Sequence, residues 1–297
     1  MIHHSTSLVL GSGGARGLVH IGVIRCLEQR GYNVSNVAGS SIGALIGGIF
    51  AAGELDTFTE WVSALERSDV RKLLDWSVVG GALIKGERII DTLRDLIGER
   101  DIEDLHVGFT AVATDLTGPG AGREVWLNRG PLFDAIRASI AVPTIISPVQ
   151  RDGHVLVDGG IVNPVPVAPT LNNRTEVTIA VDLNSHHEET AELAPHRADT
   201  PSKYSRSIRR FLERVRQGDE DEDEKGLGYL ELATRSMETM QATITQFKLA
   251  ATAPSVTIRI PRNLCTFFDF HRARELIEYG YERAEDTMAE YESNVIG

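Results

Sequence analysis

Ser41 stands at the centre of Gly39-Ser40-Ser41-Ile42-Gly43, a G-x-S-x-G pentad. Val37 and Ala38 lead into it, and Ile42, Leu45, Ile46 and Ile49 follow at helical spacing, so the serine falls between the end of a strand and the start of a helix. Such a turn is tight. Gly39 and Gly43 lack the Cβ atoms that would crowd it, and the Ser41 hydroxyl is pushed into the open, where it can attack a carbonyl carbon. The first N–H groups of the helix aim the positive ends of their dipoles at whatever the serine attacks.

A pentad by itself occurs by chance, and two further stretches give it weight. The first is Gly11-Ser12-Gly13-Gly14-Ala15-Arg16-Gly17, some thirty residues earlier. Gly11, Gly13 and Gly17 are spaced G-x-G-x-x-x-G, with Arg16 where a dinucleotide fingerprint needs its third glycine. The next strand ends in Gly39-Ser40-Ser41 and not in an acid that could bind a ribose, which argues against NAD. The other use of such a loop is an oxyanion hole, with Gly13, Gly14 and Ala15 as candidate donors. The second stretch is Asp158-Gly159-Gly160, an acid and two glycines closing the apolar run Val155-Leu156-Val157. In an open parallel sheet a strand end of this kind carries ligands and catalytic groups.

An alcohol becomes a good nucleophile only when something takes its proton, and the usual partner is a histidine oriented by an acid. The chain has nine histidines, so that triad has to be weighed, with His154 as one alternative base. An α/β-hydrolase, however, reaches its elbow after several strands, whereas here one βα unit precedes it. His20, just beyond the glycine turn, is read as packing or capping there.

The elements that must position these groups follow from periodicity. Leu8-Val9-Leu10 reads as a strand, Leu18, Ile21, Ile24 and Leu27 as a helix face, and Asn33 to Gly39 as the strand feeding the elbow: a βαβα start with the marks of a parallel sheet. Residues 55 to 97 read as largely helical, interrupted by Trp76 to Leu83, an apolar stretch without period that reads as a buried connector or a lip over a lipid-sized pocket. Strands are expected at Phe109 to Thr114, Glu124 to Leu127, His154 to Asp158, Val177 to Val181 and Val256 to Ile260. Helices are expected at Pro131 to Ile140, Leu227 to Ala251 and His271 to Tyr291. Ser185 to Pro201 reads as a surface loop. Lys203 to Arg216 reads as a basic amphipathic helix suited to an anionic membrane surface, followed by the acidic run Asp219 to Glu224.

Composition bounds the rest. A net charge of -12 argues against nucleic acid as a partner, and 42% hydrophobic content is that of an ordinary globular protein. Cys26 and Cys265 lack metal-ligand spacing and suit a reducing compartment. With neither a secretory leader nor an apolar run long enough to span a bilayer, the expected location is cytoplasmic, with contact at the inner membrane surface peripheral. No domain-sized linker is evident, so one domain over 1–297 is expected, with the motifs in 8–170 and a helical extension from about 200.

Taken together, GSGGARGLVHIGVI, GSSIG and DGGIVNPVPV resemble the patatin-like phospholipases, most closely the bacterial branch near the catalytic domain of neuropathy target esterase. The resemblance implies a three-layer α/β/α fold with a mostly parallel central sheet. It implies a Ser/Asp dyad without histidine: Ser41 attacks the ester carbonyl, and Asp158 takes its proton and returns one to the leaving group. Gly13, Gly14 and Ala15, beside Arg16, would hold the oxyanion, with Gly11, Gly17, Gly39, Gly43, Gly159 and Gly160 shaping the turns. Ser12 stands where the family's glycine run has its second member. The expected activity is hydrolysis of lipid acyl esters without metal or cofactor. The alternatives are an acyltransferase resolving the same acyl-serine, or a regulatory protein that binds without catalysis. A homodimer through the tail helix is a further expectation.

Overall fold

The computed structural model describes residues 4–73, 76–79, 82–84, 86–186, 193 and 227–296. The basic stretch 203–216, the acidic run 219–224 and most of the expected 185–201 loop lie outside the described residues.

The chain opens with β1 (His4–Leu10), the glycine turn, α1 (Val19–Gln29), β2 (Tyr32–Ser40) and α2 (Ile42–Ala51). Short helices α3 (Leu55–Val62) and α4 (Arg67–Leu73) lead to β3 (Trp76–Val79) and β4 (Ala82–Ile84). Within the apolar stretch expected to be a connector or lip, β3 and β4 pair antiparallel as a two-stranded sheet. Then follow α5 (Glu87–Ile97), β5 (Gly108–Asp115), β6 (Arg123–Leu127), α6 (Leu132–Ser139), β7 (Val149–Arg151), β8 (His154–Asp158) and β9 (Val177–Ser185). The chain ends with α7 (Leu227–Ala251), β10 (Val256–Pro261) and α8 (Ala273–Ile296).

One sheet runs in the order β10-β9-β1-β2-β5-β8-β7, with β6 also paired to β5. The pairs from β10 through β5 are parallel, and β6, β7 and β8 join antiparallel. The sheet is therefore mixed and mostly parallel, with helices flanking it. Alternation along β1 separates its faces. Leu8 and Leu10 join the large core formed with α1, α2, α6 and α8, while Val9 joins a smaller cluster with Val165, Val167 and Ala180 on the other side, against which Leu249 of α7 packs. Helix α2 is apolar all round because it lies inside the larger layer, its residues Ile42 to Ile49 all buried.

Helices α1 and α8 cross in backbone contact. A Cβ on Gly22 would run into the carbonyl of Ile277, and one on Gly280 into the backbone of Val19. Ala273, Leu276, Ala284 and Met288 of α8 are buried within the chain. Gly22→Val should therefore lower unfolding stability by roughly 1–3 kcal/mol, read by denaturant titration, because neither helix can give way without breaking the crossing.

Candidate active site

The site is created by two strands meeting end to end along one side of a third. Strand β2 pairs with β5 as far as Ser40 opposite Val112, and β8 pairs with β5 starting from Asp158 opposite Ala113, the very next residue. Strand β6 also pairs with β5 from Ala111 to Asp115, overlapping both partners, so β6 occupies the far side and β2 and β8 share the near one. They run in opposite directions, and their C-terminal ends abut. Asp158 therefore reaches the elbow on an antiparallel strand aimed at β2, and not by lying on the ligand edge of a parallel sheet as the sequence suggested.

Local contacts hold the junction. A Cβ on Gly159 would strike the Val112 carbonyl and lie 2.7 Å from Ser40 Oγ. The Asp158 N–H donates to the Ala141 carbonyl at 2.9 Å, and the Thr114 hydroxyl donates to the Asp158 carbonyl at 2.9 Å. Ser41 itself has φ 56° and ψ −125°, a conformation that costs an ordinary residue on the order of 1–3 kcal/mol and survives only when its surroundings enforce it. Here the Ser41 N–H donates to Ser139 Oγ at 3.0 Å, and the Ser139 hydroxyl donates to the Val112 carbonyl at 2.6 Å. The Ser41 carbonyl accepts the N–H groups of Ala44 and Leu45. The close approach of Gly39 to the backbone of Gly43 completes the turn, and Gly43 packs on the Leu10 carbonyl. Ser139 has no motif of its own, and nothing in its spacing announces this role.

The Asp158 carboxyl is buried. Its Oδ1 accepts the Gly160 N–H at 2.7 Å, and Oδ2 has no hydrogen-bond partner among the described residues. Burial pushes its pKa up to about 7, opposed by the nearby Ser41 hydroxyl and the Gly160 N–H. The hydroxyl is near enough to favour the carboxylate but does not reach hydrogen-bond geometry at Oδ2; such contacts commonly tighten only when substrate binds. A carboxyl poised near neutrality is suited to taking a proton from an alcohol.

The glycine turn runs beside this pair. Gly11 donates to Val181 and Ser12 to Pro164, while the N–H groups of Gly13 and Gly14 donate to no other described residue. Gly14 has φ +57° and packs so closely on Phe267 that a Cβ would lie 2.6 Å from that ring. Two of the expected donors are differently employed. The Ala15 N–H is taken by the Phe267 carbonyl at 2.9 Å. The Arg16 side chain is buried and points to the C-terminal part of the chain, donating to the carbonyls of Leu183 and Cys265 and pairing with Glu238 of α7 at 2.8 Å. Gly17 lies against Ile42, where a Cβ would overlap that side chain.

Neither highlighted histidine is at the serine. His20 is fully buried, its Nε2 at 2.9 Å from the Gly11 carbonyl, and burial lowers its pKa to about 4, so the neutral ring braces the glycine turn. His154 lies at the opposite end of β8, about 13 Å along the strand from Asp158, with Nδ1 at 2.9 Å from Asp115. Hydrogen bonds from Thr117, His154 and Arg123 hold the Asp115 carboxyl well below the usual range. Among the described residues no cluster of three or more His, Cys, Asp or Glu side chains is placed to hold a metal ion.

A serine held at positive φ between strand and helix, with a buried carboxyl behind it and open peptide amides beside it, is chemically equipped for nucleophilic attack on a carbonyl carbon. The chain belongs to the patatin-like phospholipase family, whose family model matches residues 8–171. It is 36% identical to an NTE family protein of Mycobacterium tuberculosis over 96% of this chain and 92% of that one. It is 38% identical to a patatin-like phospholipase domain-containing protein of Caenorhabditis elegans and 32% identical to the neuropathy target esterase of Drosophila melanogaster. Each of these matches covers 62% of this chain, but only 14% and 13% of those longer proteins. The crystal structure of VipD from Legionella pneumophila shares the fold, with a TM-score of 0.53 at 13% identity, over 97% of this chain and 67% of VipD.

The buried carboxyl makes a prediction about stability. An aspartate in the unfolded chain titrates near 3.9, and Asp158 in the folded chain near 7. Between those values the folded chain holds a proton that the unfolded chain has released, so its contribution to stability falls as pH rises through that window. Asp158→Asn should accordingly be more stable than the wild type at pH 8 by on the order of a few kcal/mol, with the gap closing towards pH 4. Calorimetric melting at several pH values checks this; a wild type that is the more stable at pH 8 would mean that the carboxylate is not desolvated.

Proposed function

We propose that this member of the patatin-like phospholipase family hydrolyses the carboxylic esters of phospholipids and lysophospholipids with Ser41 as nucleophile and Asp158 as its base. The observation carrying this reading is the end-to-end meeting of β2 and β8, which brings an otherwise unpaired carboxyl oxygen to a strained serine.

In the first half-reaction Ser41 Oγ bonds to the acyl carbon as its proton passes to Asp158. The carbonyl oxygen takes up negative charge facing the N–H groups of Gly13 and Gly14, and the tetrahedral species collapses when the protonated Asp158 gives its proton to the departing glycerol or lysolipid oxygen. In the second, Asp158 takes a proton from water as the water attacks the acyl-Ser41 ester, and the proton returns to Ser41 Oγ as the fatty acid leaves. The positive end of α2 beneath Ser41 favours the same developing charge.

The substrate must come from a lipid surface. Leu232, Met240 and Phe247 lie on the outward side of α7, 65%, 59% and 74% exposed, which supports peripheral contact with lipid. No helix among the described residues is long and apolar enough to cross a membrane. The free cysteines Cys26 and Cys265 suit a cytoplasmic setting.

Assay against p-nitrophenyl esters and against lysophospholipids, with and without vesicles, tests the reading. The wild type should release fatty acid, with kcat/KM rising with pH through a single ionisation near 7 as Asp158 becomes the carboxylate. Ser41→Ala should abolish release while leaving the fold intact. Release that survives Ser41→Ala, or the absence of any release by folded wild type on the whole panel, would overturn the proposal.

A further inference from the structure

The glycine turn is set in place by parts of the chain that lie beyond all three sequence motifs. Leu183, Cys265, Phe267 and Glu238 meet it from its far side. A Cβ on Gly13 would lie 2.8 Å from the Leu183 Cβ, and one on Gly14 would lie 2.6 Å from the Phe267 ring. The Ala15 N–H donates to the Phe267 carbonyl at 2.9 Å. Packing of this kind stops the turn from moving towards these residues. It does not stop the turn from moving away.

Arg16 supplies the hold in that direction. Its side chain is 1% exposed, and its guanidinium reaches three separate elements. It donates to the Leu183 carbonyl of β9 at 3.3 Å, to the Cys265 carbonyl of the loop after β10 at 3.3 Å, and to the Glu238 carboxylate of α7 at 2.8 Å. A cation this deeply buried is tolerated only when it is paired, because an uncompensated buried charge is strongly destabilising. Two of the three acceptors are neutral carbonyls. Glu238 brings the opposite charge, and no other carboxylate among the described residues forms an ion pair with Arg16. Asp182 is near enough to feel the Arg16 charge, but its Oδ1 accepts the Asn184 N–H and burial raises its affinity for protons.

We propose that Glu238 of α7 is a positioning residue for the oxyanion turn: as the counter-charge that keeps Arg16 buried, it fixes the direction of the Gly13 and Gly14 amides. The inference rests on the reading of those amides as the oxyanion donors of a Ser41 hydrolase. Without Glu238 the guanidinium is drawn towards water, and it cannot leave without carrying the turn, because only Ala15 separates Arg16 from Gly14. The turn is free to follow, since Gly13 and Gly14 have no side chains to anchor them. Oxyanion stabilisation depends on where the donors point, so a displaced turn costs turnover and leaves the binding of substrate alone. Helix α7 itself has other ties. Lys248 lies 3.4 Å from Glu124 of β6, and Leu249 packs on the smaller apolar cluster, so removing one carboxylate does not detach the helix.

Steady-state kinetics on a water-soluble p-nitrophenyl ester, with active sites counted by fluorophosphonate titration, test this. Glu238→Ala should lower kcat by about 10²-fold and leave KM within about twofold, the effect of displacing an oxyanion donor. Glu238→Gln keeps an acceptor for Arg16 but not the charge, and should fall between Glu238→Ala and the wild type. The pH midpoint of kcat/KM should stay near 7 in both, because Asp158 is untouched. A trifluoromethyl ketone, which adds to Ser41 and places its oxyanion at the turn, should lose affinity by the same factor as kcat/KM. Lys248→Met removes a different ion pair of α7 and should leave all these quantities at their wild-type values. A role in stability alone would lower the melting temperature of the Glu238 variants without changing kcat per titrated serine. The proposal is overturned if folded Glu238→Ala keeps kcat within about threefold of the wild type, or if Lys248→Met falls as far as Glu238→Ala. Should Glu238→Ala not fold, Glu238→Gln decides by the same criteria. If folded wild type neither turns over the ester nor binds the ketone at Ser41, the hydrolase reading fails and this inference fails with it.

Discussion

The fold depends at its centre on how β5 is shared. One strand edge is divided between two partners, parallel β2 up to Val112 and antiparallel β8 from Ala113 onward, so the termini of both must occupy the same place. Hydrogen-bond register fixes that place more tightly than loops can. A slip of one residue in either pairing would turn the carboxyl or the hydroxyl to the opposite face of the sheet. The surrounding contacts protect the register: Gly159 fits under the Val112 carbonyl only without a side chain, and the Ser139 hydroxyl ties the elbow N–H to that same carbonyl.

The electrostatic character of the site follows from the same crowding. Bringing two strand ends together beneath α2 and the glycine turn removes water from the Asp158 carboxyl, which raises its proton affinity. The molecule therefore keeps a carboxyl that titrates near neutrality at a cost in stability, and it holds the serine in a conformation few side chains adopt. The larger core, built on α1, α2, α6 and α8, supplies the surplus against which both are set.

Much of this was legible in the sequence, and the limits have physical causes. The pentad at Ser41 and the strand ending in Asp158 follow from period and from residues with special backbone freedom, which are local properties. The direction of β8 is not local. His154 to Asp158 looks the same whether it pairs parallel or antiparallel, so the sequence put Asp158 at the right junction for an incomplete reason. The hydrogen bonds of Ala15 and Arg16 were hidden because their partners, Phe267, Cys265 and Glu238, are supplied by chain more than two hundred residues away. Ser139 carries no motif at all, and its tie to the elbow N–H is made across 98 residues of chain. The pairing of β3 with β4 leaves no mark in the sequence, because so short an apolar run with glycines has no decisive period.

The account stands or falls on whether the carboxyl delivered by β8 draws the proton from the hydroxyl delivered by β2. Rapid-mixing measurement of the first turnover on a p-nitrophenyl ester isolates that transfer, because release of nitrophenol reports acylation alone. In Asp158→Asn, with circular dichroism and melting showing an intact fold, the first turnover should slow by roughly 10² to 10⁴. A first turnover as fast as that of the wild type would contradict the account, for the serine would then be finding its base elsewhere.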